Sequence, residues 1–217
     1  VNTRARGSTA PTESPAAPEP EKRRRILHAA VRVFAEKGYH GCRIADVARA
    51  AGVAYGLVYH YFQNKDELLE SVFDEQWSIF IGALSSVDAG PGTAAEKIAA
   101  MLGFVFDVYK TAPAAVRVLM LEVTHTPQGL RAGSTRETFE RAVRLIAGVV
   151  RQGQERGELR RQDPLVAATA LLGAMELTLS GMVMGLIPAS TEEEIDRARA
   201  ELTATAVDGL RAAPVVR

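Results

Sequence analysis

The chain has 217 residues, 47% of them hydrophobic, so it is long enough for one small and one larger packed domain but too short for several. Its formal net charge is zero, which taken alone argues against nucleic acid as a partner, because an electrostatic footprint supplies non-specific DNA affinity. Cys42 is the only cysteine, which excludes an internal disulfide and a cysteine-based metal cluster.

The average charge hides an asymmetry. Residues 1 to 65 hold 11 Lys or Arg against five acids, leaving +6 there and −6 in the remainder. The basic end is also where the pattern becomes specific. Residues 1 to 20 carry Pro11, Pro15, Pro18 and Pro20 among Ser, Thr and Ala with almost no large apolar side chains, a composition that predicts a disordered arm. After Glu21, Ile26, Leu27, Ala30, Val31 and Phe34 recur at helical steps, and Gly38 is placed to end this first helix in a left-handed cap. A short second helix puts Ile44, Val47, Ala48 and Ala51 on one face and stops at Gly52. A third follows Val53 with Val58 and Phe62 inward, so Arg43 to Phe62 reads as a helix-turn-helix. Asn64 with Glu67 resembles a capping box and opens a fourth helix through Leu68, Leu69, Val72, Phe73 and Trp77, which should link the two domains.

Beyond the break at Gly90 to Gly92, helical spacing predicts helices over about 94 to 111, 114 to 124, 134 to 156, 164 to 187 and 191 to 211. Asp163 before Pro164, and Thr191 with Glu194, mark two helix starts. No segment alternates like a strand, and the expected fold class is all-α: an arm over 1–20, a DNA-binding domain over 21–81 and a helical ligand-binding and dimerisation domain over 82–217. The apolar stretch Leu165 to Ile187 is interrupted by Glu176 and hydroxyl residues, which reads as a buried or interfacial helix rather than a membrane span. With no apolar signal core, the expectation is a cytoplasmic protein without a membrane partner.

The segment Gly38 to Leu69, GYHGCRIADVARAAGVAYGLVYHYFQNKDELL, resembles the DNA-binding domain of the TetR family of bacterial repressors. The matching features are Gly38, the Ile44/Val47/Ala48 triplet, Ala51-Gly52-Val53 at the turn, Gly56, the aromatic run Tyr59 to Phe62, and Asn64-Lys65. The resemblance implies that Tyr59 and Lys65 contact phosphate. It also implies a homodimer that grips a palindromic double-stranded operator and is released by a small effector. A recognition helix must present small or polar groups to the major groove, which fits Ala54, Tyr55, Gly56 and His60. Leu57 stands where the family often has a hydroxyl and would make an apolar base contact. Arg43 also replaces a hydroxyl and reads as a phosphate clamp or base-edge reader. The runs at Arg23 to Arg25 are compatible with phosphate contact or with an exposed helix face.

In the second domain, Phe104, Val108, Met120, Phe139, Leu172, Met175 and Met182 are candidate walls of an apolar pocket, since Met and Phe are adaptable there. Glu122, His125 and Glu176 are candidates to orient a polar group, and Glu176, a carboxylate in an apolar helix, needs a partner. This pocket suggests a hydrophobic effector. The small residues of the helix from 164 and an apolar stripe on the last helix (Ile195, Ala198, Leu202, Thr205, Ala206, Leu210) suggest a helical dimer face. No phosphate loop, nucleophile elbow or clustered metal ligands are present, so neither an enzyme, a metal nor a cofactor is expected. The alternative is a ligand-independent helical DNA-binding or architectural protein.

Overall fold

A computed structural model describes residues 19–120 and 133–211, with the side chains of 133–135 left aside. Residues 1 to 18 of the arm expected over 1–20, and Glu122 and His125, lie outside the described residues, while the arm's last two residues, Glu19 and Pro20, are already helical as the start of the first helix. Among the described residues there are nine helices and no strand. They are α1 (Glu19–Gly41), α2 (Ile44–Ala51), α3 (Tyr55–Tyr61), α4 (Lys65–Ala89), α5 (Ala94–Thr111), α6 (Pro113–Val118), α7 (Gly133–Glu155), α8 (Pro164–Val183) and α9 (Glu192–Leu210).

Helix starts follow side-chain chemistry. Asn64 accepts from the Glu67 amide at 2.8 Å to open α4, and Asp163 accepts from the Leu165 and Val166 amides ahead of α8. Thr191 and Glu194 form a reciprocal capping box at α9, and so do Thr93 and Glu96 at α5, a pair the sequence analysis passed over. Two ends differ from expectation. Gly38 has φ 68 and ψ 163, so it kinks α1 instead of closing it with a left-handed cap, and a further helical turn reaches Gly41. α8 stops at Val183 because Gly185, at φ 77, turns the chain back and lets the Leu186 amide donate to the Gly181 carbonyl at 2.8 Å.

Two hydrophobic cores result. The smaller gathers Ile26, Leu27, Phe34, Val47, Val58 and Phe62 from α1 to α3 with Leu68 and Val72 of α4. The larger packs Ile81 and Leu84 of α4 with Ile98, Phe106, Ile146, Val150, Leu171 and Leu179 from α5, α7 and α8. α4 therefore runs through both. So does α6, despite its six residues: Val116 is in the larger core while Ala115 and Val118 are in the smaller. The cores are thus joined by two helices, not by α4 alone.

The apolar stripe of α9 does not form an outer surface. Ile195 and Leu210 are buried in the larger core, Ala198, Leu202 and Ala206 pack against it, and α9 is pinned to α5 by Arg199–Asp107 (2.7 Å) and Lys110–Asp196 (2.5 Å). Only Thr205 of that stripe is exposed. The stripe goes inward because the larger core needs α9 to close it. α8 is long and apolar enough to cross a membrane, and it splits by face: Leu171, Met175, Leu179 and Met182 are buried, while Val166 and Leu177 are 68% and 75% exposed.

Candidate nucleic-acid interface and effector region

The helix-turn-helix is set by its turn. Gly52 adopts φ 64, ψ 41, a left-handed conformation that glycine takes without steric cost, and the Val53 amide then donates to the Ala48 carbonyl at 3.0 Å. Val58 and Phe62 anchor α3 to the smaller core. What remains faces solvent. Ala54, Tyr55, Gly56, Tyr59 and His60 are exposed, and Leu57 is half-buried. A Cβ on Gly56 would meet no atom within 4 Å, so packing among the described residues does not require glycine there.

The Tyr55 hydroxyl donates to the Tyr59 hydroxyl at 3.2 Å, and the two rings meet edge to face at 5.1 Å. This hydrogen bond lifts the Tyr59 phenol above its ordinary pKa, so the Tyr59 hydroxyl stays protonated at physiological pH and keeps its own hydrogen to donate. His60 lies edge-on to Tyr61 at 5.1 Å. Arg43, the residue that caps α2, is exposed; its amide donates to the Asp46 carboxylate at 3.2 Å and its guanidinium has no partner among the described residues.

Other cations at this end have internal duties. Arg25 donates to the Ala51 carbonyl at 2.8 Å and Arg32 to the Ala50 carbonyl at 3.3 Å, so two side chains of α1 satisfy the last carbonyls of α2. Arg23 lies over the Phe62 ring at 5.3 Å, and Arg24 is the member of the run without a contact among the described residues. Lys65 is half-buried; its ammonium sits 4.2 Å from the Tyr39 ring centre and donates to the carbonyls of Tyr39 (2.7 Å) and Cys42 (3.1 Å). An ammonium has three donors, so one remains. Tyr39 hydrogen-bonds the Asp66 carboxylate, and burial together with that bond pushes its phenol well above the usual range. Burial likewise raises the Cys42 thiol, which keeps it protonated and unreactive.

The eight residues named for an effector pocket fall into three groups. Leu172, Met175 and Met182 are buried in the larger core, and Phe104, Val108, Met120 and Glu176 are half-buried. Phe139 is 41% exposed. Two of them are brought together by residues of α4 that the sequence analysis did not assign to the pocket. Phe80 stacks on Phe104 at 6.4 Å, Trp77 meets Phe139 at 6.4 Å, and Phe73, Trp77 and Phe80 follow one another at 5.7 and 5.5 Å. Spacings of three and four along α4 held the signal. The Glu176 carboxylate has no partner among the described residues.

A helix-turn-helix with an open, hydroxyl-bearing recognition helix, carried by a larger all-helical unit, defines a DNA-binding transcriptional regulator. Comparison with known proteins gives the family. Residues 26–72 match the model for bacterial regulatory proteins of the TetR family, and residues 91–179 match that for a tetracyclin repressor-like C-terminal domain. The fatty acid metabolism regulator protein of Bacillus subtilis is 31% identical over 160 residues, 73% of this chain and 82% of that protein. The HTH-type transcriptional repressor NicS of Pseudomonas putida is 28% identical over 153 residues, covering 69% and 71%. The crystal structure of the regulator FadR from Bacillus subtilis in complex with stearoyl-CoA superposes with a TM-score of 0.73 at 27% identity, over 83% of this chain and 97% of that one. The chain belongs to the TetR family.

Proposed function

We propose that this protein is a homodimeric repressor that binds a palindromic operator and is released from it by a long-chain acyl compound. The observation that carries the DNA side is the outward face of α3, where Tyr55, Gly56, Tyr59 and His60 are exposed in the structure of the described residues. Tyr55, His60, Leu57 and Ala54 read base edges, while Tyr59, Arg43 and the spare donor of Lys65 position the backbone phosphates. The exposed apolar face of α8 supports pairing with a second copy, which places two recognition helices about one helical turn apart.

For the effector, the aromatic file from Phe73 to Phe104 and Phe139 supplies an apolar wall on α4, α5 and α7, and the half-buried Glu176, with no partner among the described residues, is available to a polar group. The similarity to a regulator solved with stearoyl-CoA favours an acyl chain over other apolar molecules. Release follows from population shift: a ligand touching Trp77 and Phe80 acts on α4 where it packs against the larger core, a few residues along from its part in the smaller one, and α6 gives a second connection to the DNA-binding end. The test is selection of bound sequences from a random DNA pool, followed by operator binding with and without stearoyl-CoA. The reading expects two inverted half-sites and loss of binding with ligand. Equal operator affinity in the presence of demonstrably bound stearoyl-CoA overturns the effector part, and Tyr59→Phe with undiminished affinity overturns the phosphate role of Tyr59.

A further inference from the structure

A cleft of about 390 Å³ lies at the seam between the two cores, away from the effector region. Its floor is apolar: Ala35 of α1, Pro113 and Ala114 of α6, and Val183 at the end of α8. Its rim is polar, formed by Arg32 and Glu36 of α1, Tyr109 of α5 and Arg117 of α6. None of the eight effector candidates lines it.

The rim groups have spare bonding capacity. Glu36, Arg117 and the Tyr109 hydroxyl make no hydrogen bond or ion pair with the described residues, and Arg32 uses one nitrogen on the Ala50 carbonyl. Charges at other helix seams are matched, as in Lys110–Asp196, Arg199–Asp107 and Lys37–Asp46. We infer that the cleft is a second small-molecule site, for an amphipathic monoanion: a carboxylate on a short apolar body.

Two guanidiniums against one carboxylate leave the rim with a net positive charge, and a guanidinium presents paired donors that match a carboxylate. The Tyr109 hydroxyl adds a donor, and the floor covers an apolar body. Glu36 disfavours a second negative charge on the ligand. A molecule held there touches α1 and α6 together and so favours the present angle between the two cores.

The test is calorimetric titration of the full chain with benzoate, with phenyl phosphate as the dianionic comparison. Arg117→Gln should weaken benzoate about tenfold, the scale of one charge-assisted hydrogen bond. Glu36→Gln should tighten it and narrow the gap between benzoate and phenyl phosphate. Arg151→Gln, at an exposed arginine of α7, should change nothing. Three results would overturn the proposal: no benzoate binding by the unaltered chain, equal affinity across the Arg117 and Glu36 variants, or loss of binding with Phe104→Ala, which would put the probe in the effector region. Matching melting curves for the variants keep a folding defect from passing as a binding defect.

Discussion

The Lys65 ammonium donates to the Tyr39 carbonyl oxygen at 2.7 Å, tying the first turn of α4 to the end of α1. The same group reaches the Cys42 carbonyl, so one side chain satisfies an acceptor in the last turn of α1 and another in the α1–α2 connection. A residue expected to contact phosphate therefore holds the DNA-binding end together. Lys65→Ala should lower stability by about 1–3 kcal/mol, the range for losing hydrogen bonds to a charged donor. It should also weaken operator binding on every sequence and flatten the salt dependence by about one unit of slope. Urea unfolding and operator titrations over a salt series read the two effects separately. An unchanged slope with reduced stability would leave Lys65 a structural role alone.

Asp46 gives a pH dependence with a definite sign. Its carboxylate pairs with Lys37 at 2.9 Å and accepts from the Arg43 amide, and these contacts, the Lys37 bond foremost, hold its pKa below the ordinary range. A group whose folded pKa is depressed stabilises the fold above its unfolded value and loses that contribution as pH falls. The stability gap between the unaltered chain and Asp46→Asn should therefore be constant near neutrality and close below about pH 4, where free Asp begins to protonate. Denaturation at a series of pH values measures it. A gap that widens with acid would contradict the assignment.

Much of this was legible because it is local. The spacing of Ile26 to Phe34, the caps at Asn64, Asp163 and Thr191, and the exposed residues of α3 each depend on neighbours within a turn or two. The contacts of Arg25 and Arg32 with α2 were not legible, since they join residues 26 and 18 apart in sequence and look like solvated charge until α1 and α2 are folded together. Gly38 shows a different limit: glycine announces an unusual φ but not the ψ that decides between a cap and a kink. For α9 the pattern identified the apolar face but could not say whether α5 or another chain would cover it.

Two glycines should respond differently to alanine. A Cβ on Gly153 of α7 would collide with the Ala94 Cβ and lie 2.8 Å from the Leu159 Cδ1, where the α5 start, bonded to Glu158, leaves no room to move. Gly153→Ala should cost about 1–3 kcal/mol despite the better helix propensity of alanine. On Gly103 the new atom meets the Arg199 guanidinium, the far end of a flexible side chain. Gly103→Ala should stay within about 1 kcal/mol of the unaltered chain, since helix propensity offsets a weakened exposed ion pair. Thermal melts of the two variants decide the ranking, and equal losses would count against the packing argument.

Pairing through α8 predicts that Leu177→Glu separates the dimer without unfolding the chain. Leu177 is 75% exposed, so a charge there costs nothing in the lone chain, but in a paired interface it would be an uncompensated buried carboxylate. The dimer dissociation constant should rise by about a hundredfold or more. Light scattering after size exclusion reports the mass, and the far-ultraviolet circular dichroism spectrum should be unchanged, while the melt shifts down by the stabilisation that association supplied. A variant that remains dimeric would move the interface off this face of α8.

Trp77 is the only tryptophan in the chain and sits in the aromatic file on α4, between Phe73, Phe80 and Phe139. A ligand entering that file changes the environment of the single indole, so stearoyl-CoA should shift or quench its emission saturably. Phe104→Ala removes a ring stacked on Phe80 and should weaken the titration by about ten- to a hundredfold, from the apolar area lost to the ligand. Trp77→Phe keeps an aromatic ring and should retain binding by calorimetry while abolishing the optical signal. If calorimetry detects stearoyl-CoA but the indole emission does not move, the ligand lies elsewhere in the larger core and α4 is not its first contact. If neither responds, the acyl-effector reading itself fails, and operator binding through α3 stands independently of it.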